Sequence, residues 1–116
     1  MTVSSLPMRP VEFYILLALA EGDLHGYGII QSTLERSDGE VRLDPGTLYR
    51  AIVRLADAGL LAESDRRDAD DLPDQRRRYY SITDAGREIA RAEAERMAGL
   101  VEDARAVALM RDPGKA

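Results

Sequence analysis

The stretch from Asp44 to Leu61 constrains the fold most strongly, because it carries the start and stop signals of one amphipathic helix. Asp44 can accept hydrogen bonds from the free N–H groups of a first helical turn, and Pro45 suits the first helical position. Gly59 can adopt the left-handed conformation that ends a helix. Apolar residues recur at helical spacing and predict the buried face: Leu48, Ile52, Leu55 and Ala56.

The opposite face of this helix is a candidate surface for contacting nucleic acid. Four polar or basic side chains are expected to point away from the apolar stripe: Thr47, Tyr49, Arg50 and Arg54. Arg50 and Arg54 are one turn apart and share a face, from which either can contact a guanine edge or a phosphate. An ordinary core helix with a solvated basic face would show the same pattern, and Arg54 would then pair with an acid such as Asp57.

Two short strands are predicted after this helix, at residues 60–64 and 77–82. Alternation along the second strand places Tyr79 and Tyr80 on opposite faces, so that one ring packs inward and the other lies at the surface. The stretch from Asp65 to Arg76, which connects the two strands, is rich in acidic and basic residues. The sequence therefore predicts a helix followed by a β-hairpin that forms a wing.

Two helices are predicted ahead of this unit. The first starts at Pro10 and ends near residues 21–23, and its crowded apolar residues predict a core helix that also faces a partner subunit. The second, from about Gly26 to Arg36, is expected to brace the helix that starts at Asp44. His25 lies just before it and is interpreted as a structural cap or as a partner of a nearby carbonyl.

The last predicted helix begins after Thr83 or Asp84, either of which can cap it, and continues to about Arg111. Small and apolar residues recur along it in two series of seven-residue spacing: Ala90, Ala94, Met97, Val101, Ala104 and Ala108. Such a stripe is typical of helix association and predicts a homodimer, although it could also dock the helix on its own domain. Charged residues between the stripe positions, Glu93 among them, are expected to stay solvated in either case.

Three motifs in this order carry a resemblance to a known family: HGYGII from His25, PGTLYRAI from Pro45 and RYYSITDAGR from Arg78. Together they resemble the PadR family of winged-helix transcriptional regulators, from about Met8 to Arg111. The resemblance implies a mainly α fold with a small β-hairpin. It further implies a winged helix-turn-helix DNA-binding domain at residues 8–83 and a C-terminal dimerisation helix at residues 84–111.

The resemblance also implies which residues contact double-stranded DNA. Tyr27 would lie in the first turn of the second helix, where its hydroxyl can reach a phosphate, with core packing as the alternative. The full set of expected DNA contacts is Tyr27, Thr47, Tyr49, Arg50, Arg54, Arg76 and Arg78. Base specificity is assigned to the four residues of the third helix, and phosphate contacts to the arginines at the base of the wing. A dimer would present two such helices to a palindromic operator.

The formal net charge of −5 opposes DNA binding at first sight, because phosphate contacts require a positive surface. The distribution of charge matters more than the sum. Acidic residues gather between Asp65 and Asp74 and along the last helix, whereas arginines at 76–78 lie at the base of the wing. We therefore expect the base of the wing, and not its tip, to contact the DNA backbone.

The sequence is poor in the groups that catalysis requires. It has no cysteine and one histidine, and it lacks a glycine-rich loop between a strand and a helix, so neither an enzyme nor a cofactor is expected. Asp68, Asp70 and Asp71 lack the glycine and the closing glutamate of an EF-hand loop, and no metal site is expected. The alternative to a DNA-binding regulator is a protein-binding adaptor that keeps the winged-helix scaffold without binding DNA.

Further expectations concern the compartment and the regulation. No apolar run is long enough to cross a bilayer and no secretory signal is recognisable, which predicts a cytoplasmic protein. The resemblance implies a repressor that a ligand or a stress signal releases. Some relatives respond to phenolic acids and others to planar drugs, which implies a small apolar or aromatic effector. Excess apolar surface on the first and last helices would hold such an effector, with effector-free regulation as the alternative.

Overall fold

The structure is a computed structural model, and it describes residues 6–65 and 78–111. In these ranges the helices and strands follow the order α1 (Pro10–Ala20), β1 (Leu24–His25), α2 (Gly26–Arg36), α3 (Pro45–Asp57), β2 (Leu61–Ser64), β3 (Tyr79–Ile82) and α4 (Asp84–Ala106). The predicted fold class, mainly α with a small antiparallel sheet and a long C-terminal helix, is confirmed. Each helix in the described ranges is too short or too polar to cross a bilayer.

The sheet has three strands in the order β1-β3-β2, with both neighbours antiparallel to β3. Strands β2 and β3 agree with the sequence prediction, whereas β1 was not predicted, because it has only two residues and so shows no alternation. In the register, Leu24 pairs with Tyr80 and Ser64 with Tyr79. Tyr79 is buried and Tyr80 is half-buried, so the prediction that one of the two rings packs inward is confirmed.

The local signals of α3 are confirmed. The Asp44 carboxylate caps the helix by accepting a hydrogen bond from the Thr47 N–H at 2.8 Å, and Pro45 opens the helix. Gly59 follows the helix with a φ of +78°, the left-handed conformation that its position requires.

The buried stripe of α3 consists of Leu48, Ala51, Ile52 and Leu55. The prediction that Ala56 is buried is wrong, because that residue is exposed and Ala51 occupies the core instead. Ala51 lies three residues after Leu48 and four before Leu55, so it is centred on the stripe. The buried stripe is therefore rotated about the axis of α3 relative to the predicted stripe, and the exposed face is rotated with it.

Helix α1 is at the centre of the core. It packs against α2, α3, α4 and β3, and its residues Ile15, Leu16 and Leu19 are fully buried. Thr33 of α2 is also fully buried, and its hydroxyl donates to the Ile29 carbonyl at 2.9 Å, so its polar group is satisfied.

Helix α4 is capped by Thr83, whose hydroxyl oxygen accepts from the Gly86 N–H at 3.0 Å. The predicted continuation to about Arg111 is wrong, because the helix ends at Ala106. Beyond it, Ala108 has a φ of +63°, and the Leu109 N–H donates to the Ala104 carbonyl at 2.9 Å. This left-handed closure satisfies a terminal carbonyl and removes Ala108 from the helical stripe.

Glu93 of α4 is buried, with 2% of its surface exposed, and the expectation that it stays solvated is wrong. Its two carboxylate oxygens accept from Nε and Nη2 of Arg96 at 2.8 and 2.7 Å. These bonds, together with one from the Met8 N–H, hold the pKa of the Glu93 carboxyl below its ordinary value. Because Arg96 pairs with both carboxylate oxygens, the buried charge of Glu93 is compensated. The bond from the Met8 N–H also joins the N-terminal segment to α4.

The contact between the start of α4 and the end of α3 generates a prediction. A Cβ added at Gly86 would overlap the Leu60 carbonyl oxygen and lie 2.8 Å from Cγ1 of Ile82. We expect Gly86→Ala to lower the free energy of unfolding by at least about 2 kcal/mol, because backbone must move to relieve the overlap. Urea-induced unfolding measures this change.

Gly99→Ala is the matched control within the same helix. A Cβ at Gly99 has no neighbour within 4 Å among the described residues, so this variant is expected to gain about 0.5–1 kcal/mol from reduced backbone entropy. Equal effects of the two substitutions would contradict the close approach at Gly86.

Candidate nucleic-acid interface

The first turns of α2 and α3 meet strand β3 at an open groove with a volume of about 400 Å³. Its wall includes His25, Tyr27, Pro45, Tyr49, Arg78 and Tyr80. The groove therefore brings together three residues that the sequence analysis assigned to DNA contact, from three separate segments of the chain. We call the surface formed by this groove and the exposed side of the first two turns of α3 the candidate face.

Tyr27 lies in the first turn of α2, as expected, and 63% of its surface is exposed. The alternative of core packing for Tyr27 is wrong in this structure. His25 caps the same helix, since its Nδ1 accepts from the Gly28 N–H at 3.0 Å. The His25 ring contacts Tyr79 edge to face, with ring centroids 5.2 Å apart, which confirms the structural interpretation of the single histidine.

The first turn of α3 is held by a short chain of hydrogen bonds. Besides the capping bond, the Thr47 hydroxyl donates to Oδ2 of Asp44 at 3.0 Å, and Nη2 of Arg50 lies 3.4 Å from the Thr47 hydroxyl oxygen. The bonds from Thr47 hold the pKa of the Asp44 carboxyl below its ordinary value. Asp44 was predicted only as a cap, but it also lies within hydrogen-bonding distance of the hydroxyl of Thr47, an expected DNA contact.

Tyr49 is 54% exposed and projects from α3 into the groove. Tyr80 lies on the opposite wall, where burial raises the pKa of its phenol. Arg78, just before β3, is exposed, and its Nε lies 3.5 Å from Oε2 of Glu63 on the neighbouring strand. An exposed pair of this kind contributes little stability, so the guanidinium can exchange Glu63 for another anion.

Arg54 differs from the other expected contacts, because it points toward α1. Its Nε donates to Oε2 of Glu12 at 2.8 Å, and the Glu12 side chain is only 15% exposed. An ion pair was the alternative interpretation for Arg54, but its partner is Glu12 and not Asp57. Glu12 lies far from Arg54 in sequence, so the helical spacing of α3 gives no signal of this contact.

Arg76 and the aspartates from Asp68 to Asp74 lie outside the described residues. The expectations for the tip of the wing therefore stay predictions. Among the described residues, the candidate face combines two guanidinium groups, Arg50 and Arg78, with the phenol groups of Tyr27 and Tyr49. Arginine and tyrosine side chains of this kind donate hydrogen bonds to phosphate oxygens and base edges.

Comparison with known proteins finds a family whose model matches this chain. The family model described as the transcriptional regulator PadR-like family matches residues 15–92, which is most of the described fold. A curated relative, an uncharacterized 37.1 kDa protein in a transposon of Streptomyces fradiae, is 38% identical over 89 residues. That alignment covers 77% of this chain but 23% of the relative, so the chain spans about a quarter of the relative's length.

Solved structures share the fold. A transcriptional regulator from Clostridium thermocellum is 27% identical with a TM-score of 0.67, over 82% of this chain and 86% of that one. Bacillus subtilis PadR, solved in complex with operator DNA, is 23% identical with a TM-score of 0.60. The likeness to this second protein covers 72% of this chain and 46% of that one.

The Arg54–Glu12 pair generates a prediction that distinguishes the structural role of Arg54 from the role of Arg50. In a double-mutant cycle, Arg54→Ala and Glu12→Ala are expected to show a coupling energy of about 0.2–1 kcal/mol in the free energy of unfolding, because Arg54 is half-exposed. Urea-induced unfolding of the two single variants and the double variant measures it. The cycle of Arg50→Ala with Glu12→Ala is the control and is expected to be additive. Additivity in both cycles would contradict the assignment of Arg54 to α1.

Proposed function

Because the chain belongs to the PadR-like family of transcriptional regulators, we propose that it is a repressor that binds a palindromic DNA operator as a homodimer. The observation that carries this proposal is the composition of the candidate face. The first two turns of α3 present Thr47, Tyr49 and Arg50 beside Tyr27 of α2 and Arg78 of the wing. Bacillus subtilis PadR, a protein of the same fold, was solved in complex with operator DNA, which supports DNA binding as the function.

The shape and chemistry of α3 fit entry into a DNA groove. The major groove admits one α-helix, and in a helix-turn-helix unit the N-terminal residues of the second helix contact the base edges. We assign α2 and α3 to that pair, and Thr47, Tyr49 and Arg50 lie in the first two turns of α3. Tyr27 and Arg78 flank α3 and would contact phosphates on either side, which fixes the register of α3 on the duplex.

The net charge of −5 does not conflict with this assignment, because the distribution of the charges matters more than their sum. Arg50 and Arg78 lie on the candidate face beside the acidic residues Asp44 and Glu63, and further exposed acidic residues, such as Glu95 and Glu102, lie away from it on α4. A small number of phosphate contacts predicts that the affinity for DNA falls as salt is raised, with a modest slope of log affinity against log salt concentration. Arg54 contributes to stability through Glu12 and contacts DNA only if it leaves this partner.

The second half of α4 supports the proposed homodimer. Leu100 and Val101 are exposed there, and Val107, Leu109 and Met110 are exposed beyond its end. A single copy of the chain leaves this apolar surface in water, at a cost of about 25 cal/mol per Å². Five members of the predicted stripe remain in the helix: Ala90, Ala94, Met97, Val101 and Ala104. Ala90 packs against the core of its own copy and lines a cleft beside α1 together with Ala94. We propose that the rest of the stripe, Met97, Val101 and Ala104, pairs with its counterpart on a second copy.

The proposed effector would bind where α1 meets α4. A cleft of about 220 Å³ lies there between Phe13, Leu17, Ala90 and Ala94, and its lining is mainly apolar. A small apolar or aromatic molecule in this cleft would contact both α1 and α4. It releases the operator only if it binds more tightly to a dimer arrangement that does not fit the DNA.

Selection of binding sites from random duplex DNA tests the function directly. We expect the purified full chain to enrich a palindrome, and we expect binding to that palindrome to weaken as salt is raised. Arg50→Ala is expected to cost about 1–3 kcal/mol in operator affinity and to relax the preference at one position of each half-site. Arg36→Ala, at the other end of α2, removes the same charge and is expected to leave the preferred sequence unchanged. An absence of enrichment at low salt would favour the protein-binding adaptor.

The homodimer is tested by a charge placed in the stripe. Val101→Glu is expected to raise the dimer dissociation constant by at least about tenfold, because two carboxylates would be buried without partners. Analytical ultracentrifugation measures this constant. The control is Ala106→Glu, which places the same group on the opposite side of α4. A dimer that survives Val101→Glu unchanged would contradict pairing through this stripe.

A further inference from the structure

The Asp44 carboxylate makes two hydrogen bonds to one residue. Oδ1 accepts from the Thr47 N–H at 2.8 Å and Oδ2 accepts from the Thr47 hydroxyl at 3.0 Å. Gly46 lies directly beneath this arrangement, and a Cβ there would come within 3.3 Å of Oδ1 of Asp44. The turn is therefore built closely around the pair of side chains.

The second of these bonds decides which way the Thr47 hydroxyl points. An ionised carboxylate has no hydrogen to give, so the only hydrogen in the Asp44–Thr47 bond is that of the Thr47 hydroxyl. The same Thr47 bonds lower the pKa of the Asp44 carboxyl, which keeps it ionised at neutral pH. The Thr47 oxygen is left with acceptor capacity alone, and the Arg50 contact at 3.4 Å uses that capacity weakly.

We propose that Asp44 is a specificity-determining positioning residue: it fixes Thr47 as a hydrogen-bond acceptor, so that α3 selects a base with an exocyclic amino group. This inference rests on the function proposed above and deepens it. In the major groove, adenine presents its N6 amino group and cytosine its N4 amino group, whereas guanine and thymine present carbonyl oxygens at the same ring positions. An acceptor on Thr47 bonds to the amino groups and is opposed by the carbonyl oxygens.

The charge of Asp44 acts in the same direction. It is exposed at the N-terminus of α3, where it repels phosphates and carbonyl edges and attracts amino groups. It also offsets the positive end of the helix, which would otherwise attract a phosphate. Both effects favour the approach of the first turn of α3 to base edges, with the phosphate contacts left to Tyr27 and Arg78.

The isosteric variant Asp44→Asn tests the proposal. Its carbonyl oxygen can still cap the Thr47 N–H, and asparagine is as good an N-cap as aspartate, so the helix is retained. Its amide nitrogen donates to the Thr47 oxygen, which frees the hydroxyl hydrogen to donate to a base. We expect site selection with the full chain to change the preferred base at one position of each half-site by a transition, from adenine to guanine or from cytosine to thymine. We expect the wild-type chain to prefer its base, and D44N to prefer the alternative base, by about three- to tenfold each.

Three further variants separate the hydrogen-bond polarity of Thr47 from the charge of Asp44 and from the stability of the fold. Asp57→Asn makes the same charge change at the other end of α3 and is expected to keep the wild-type preference. Thr47→Val keeps the shape but removes the hydroxyl, and it is expected to abolish discrimination between the two bases of the transition, both alone and combined with D44N. Thr47→Ser keeps the hydroxyl and is expected to retain the wild-type base. Circular dichroism melting confirms that each variant is folded.

The outcomes separate this inference from the proposed function. If D44N selects the wild-type base at every position with unchanged discrimination, Asp44 does not set the polarity of Thr47 and the inference is overturned. Should D44N fail to fold, unchanged discrimination by T47V overturns the inference, because Thr47 then reads no base, whereas loss of a wild-type preference for adenine or cytosine supports it. Failure of the wild-type chain to enrich any operator would instead overturn the proposed function, before any variant is compared.

Discussion

Burial of α1 is the interaction on which the rest of the structure depends. Ile15, Leu16, Ala18 and Leu19 are almost completely removed from water, and the helix contacts α2, α3, α4 and β3. An apolar helix with neighbours on several sides fixes their mutual angles, because close packing leaves few alternative arrangements of the side chains. The Glu12–Arg54 pair adds a directional contact from α1 to α3. The buried helix α1 therefore holds the exposed first turn of α3 in place, and α1 needs no contact with a ligand to do so.

Because α1 holds α3 from its buried side, the residues of the candidate face can be polar. The buried stripe of α3 carries the packing, so Thr47, Tyr49 and Arg50 contribute little to the core and are available for contact. Asp44 serves both parts of the molecule, because its carboxylate satisfies the helix start and orients the hydroxyl of Thr47. A cap chosen only for stability could equally be serine or asparagine, and each would leave Thr47 with a different hydrogen-bonding character.

Local signals in the sequence were sufficient for most helices and for the caps. The bounds of α2, the roles of Asp44, Gly59 and His25, and the burial of one of the two tyrosines of β3 all follow from residues within a few positions. The failures concern contacts between distant segments. Arg54 pairs with Glu12, Glu93 is buried beneath Met8, and the two-residue β1 exists only because β3 lies beside it. Periodicity within one element cannot report such contacts, because their partners come from elsewhere in the chain.

The joint between α3 and α4 gives the proposed dimer a mechanical consequence. The Thr83 hydroxyl donates to the Gly59 carbonyl at 2.7 Å, the Thr83 N–H donates to the Leu60 carbonyl at 3.2 Å, and Gly86 allows the first turn of α4 to lie against Leu60. The start of α4 is thus attached by hydrogen bonds to Gly59 and Leu60, which lie between α3 and β2. If two copies pair through α4, the angle between the paired helices sets the distance between the two α3 helices. An effector between α1 and α4 would act on this angle, and it needs no contact with the candidate face to change the fit to an operator.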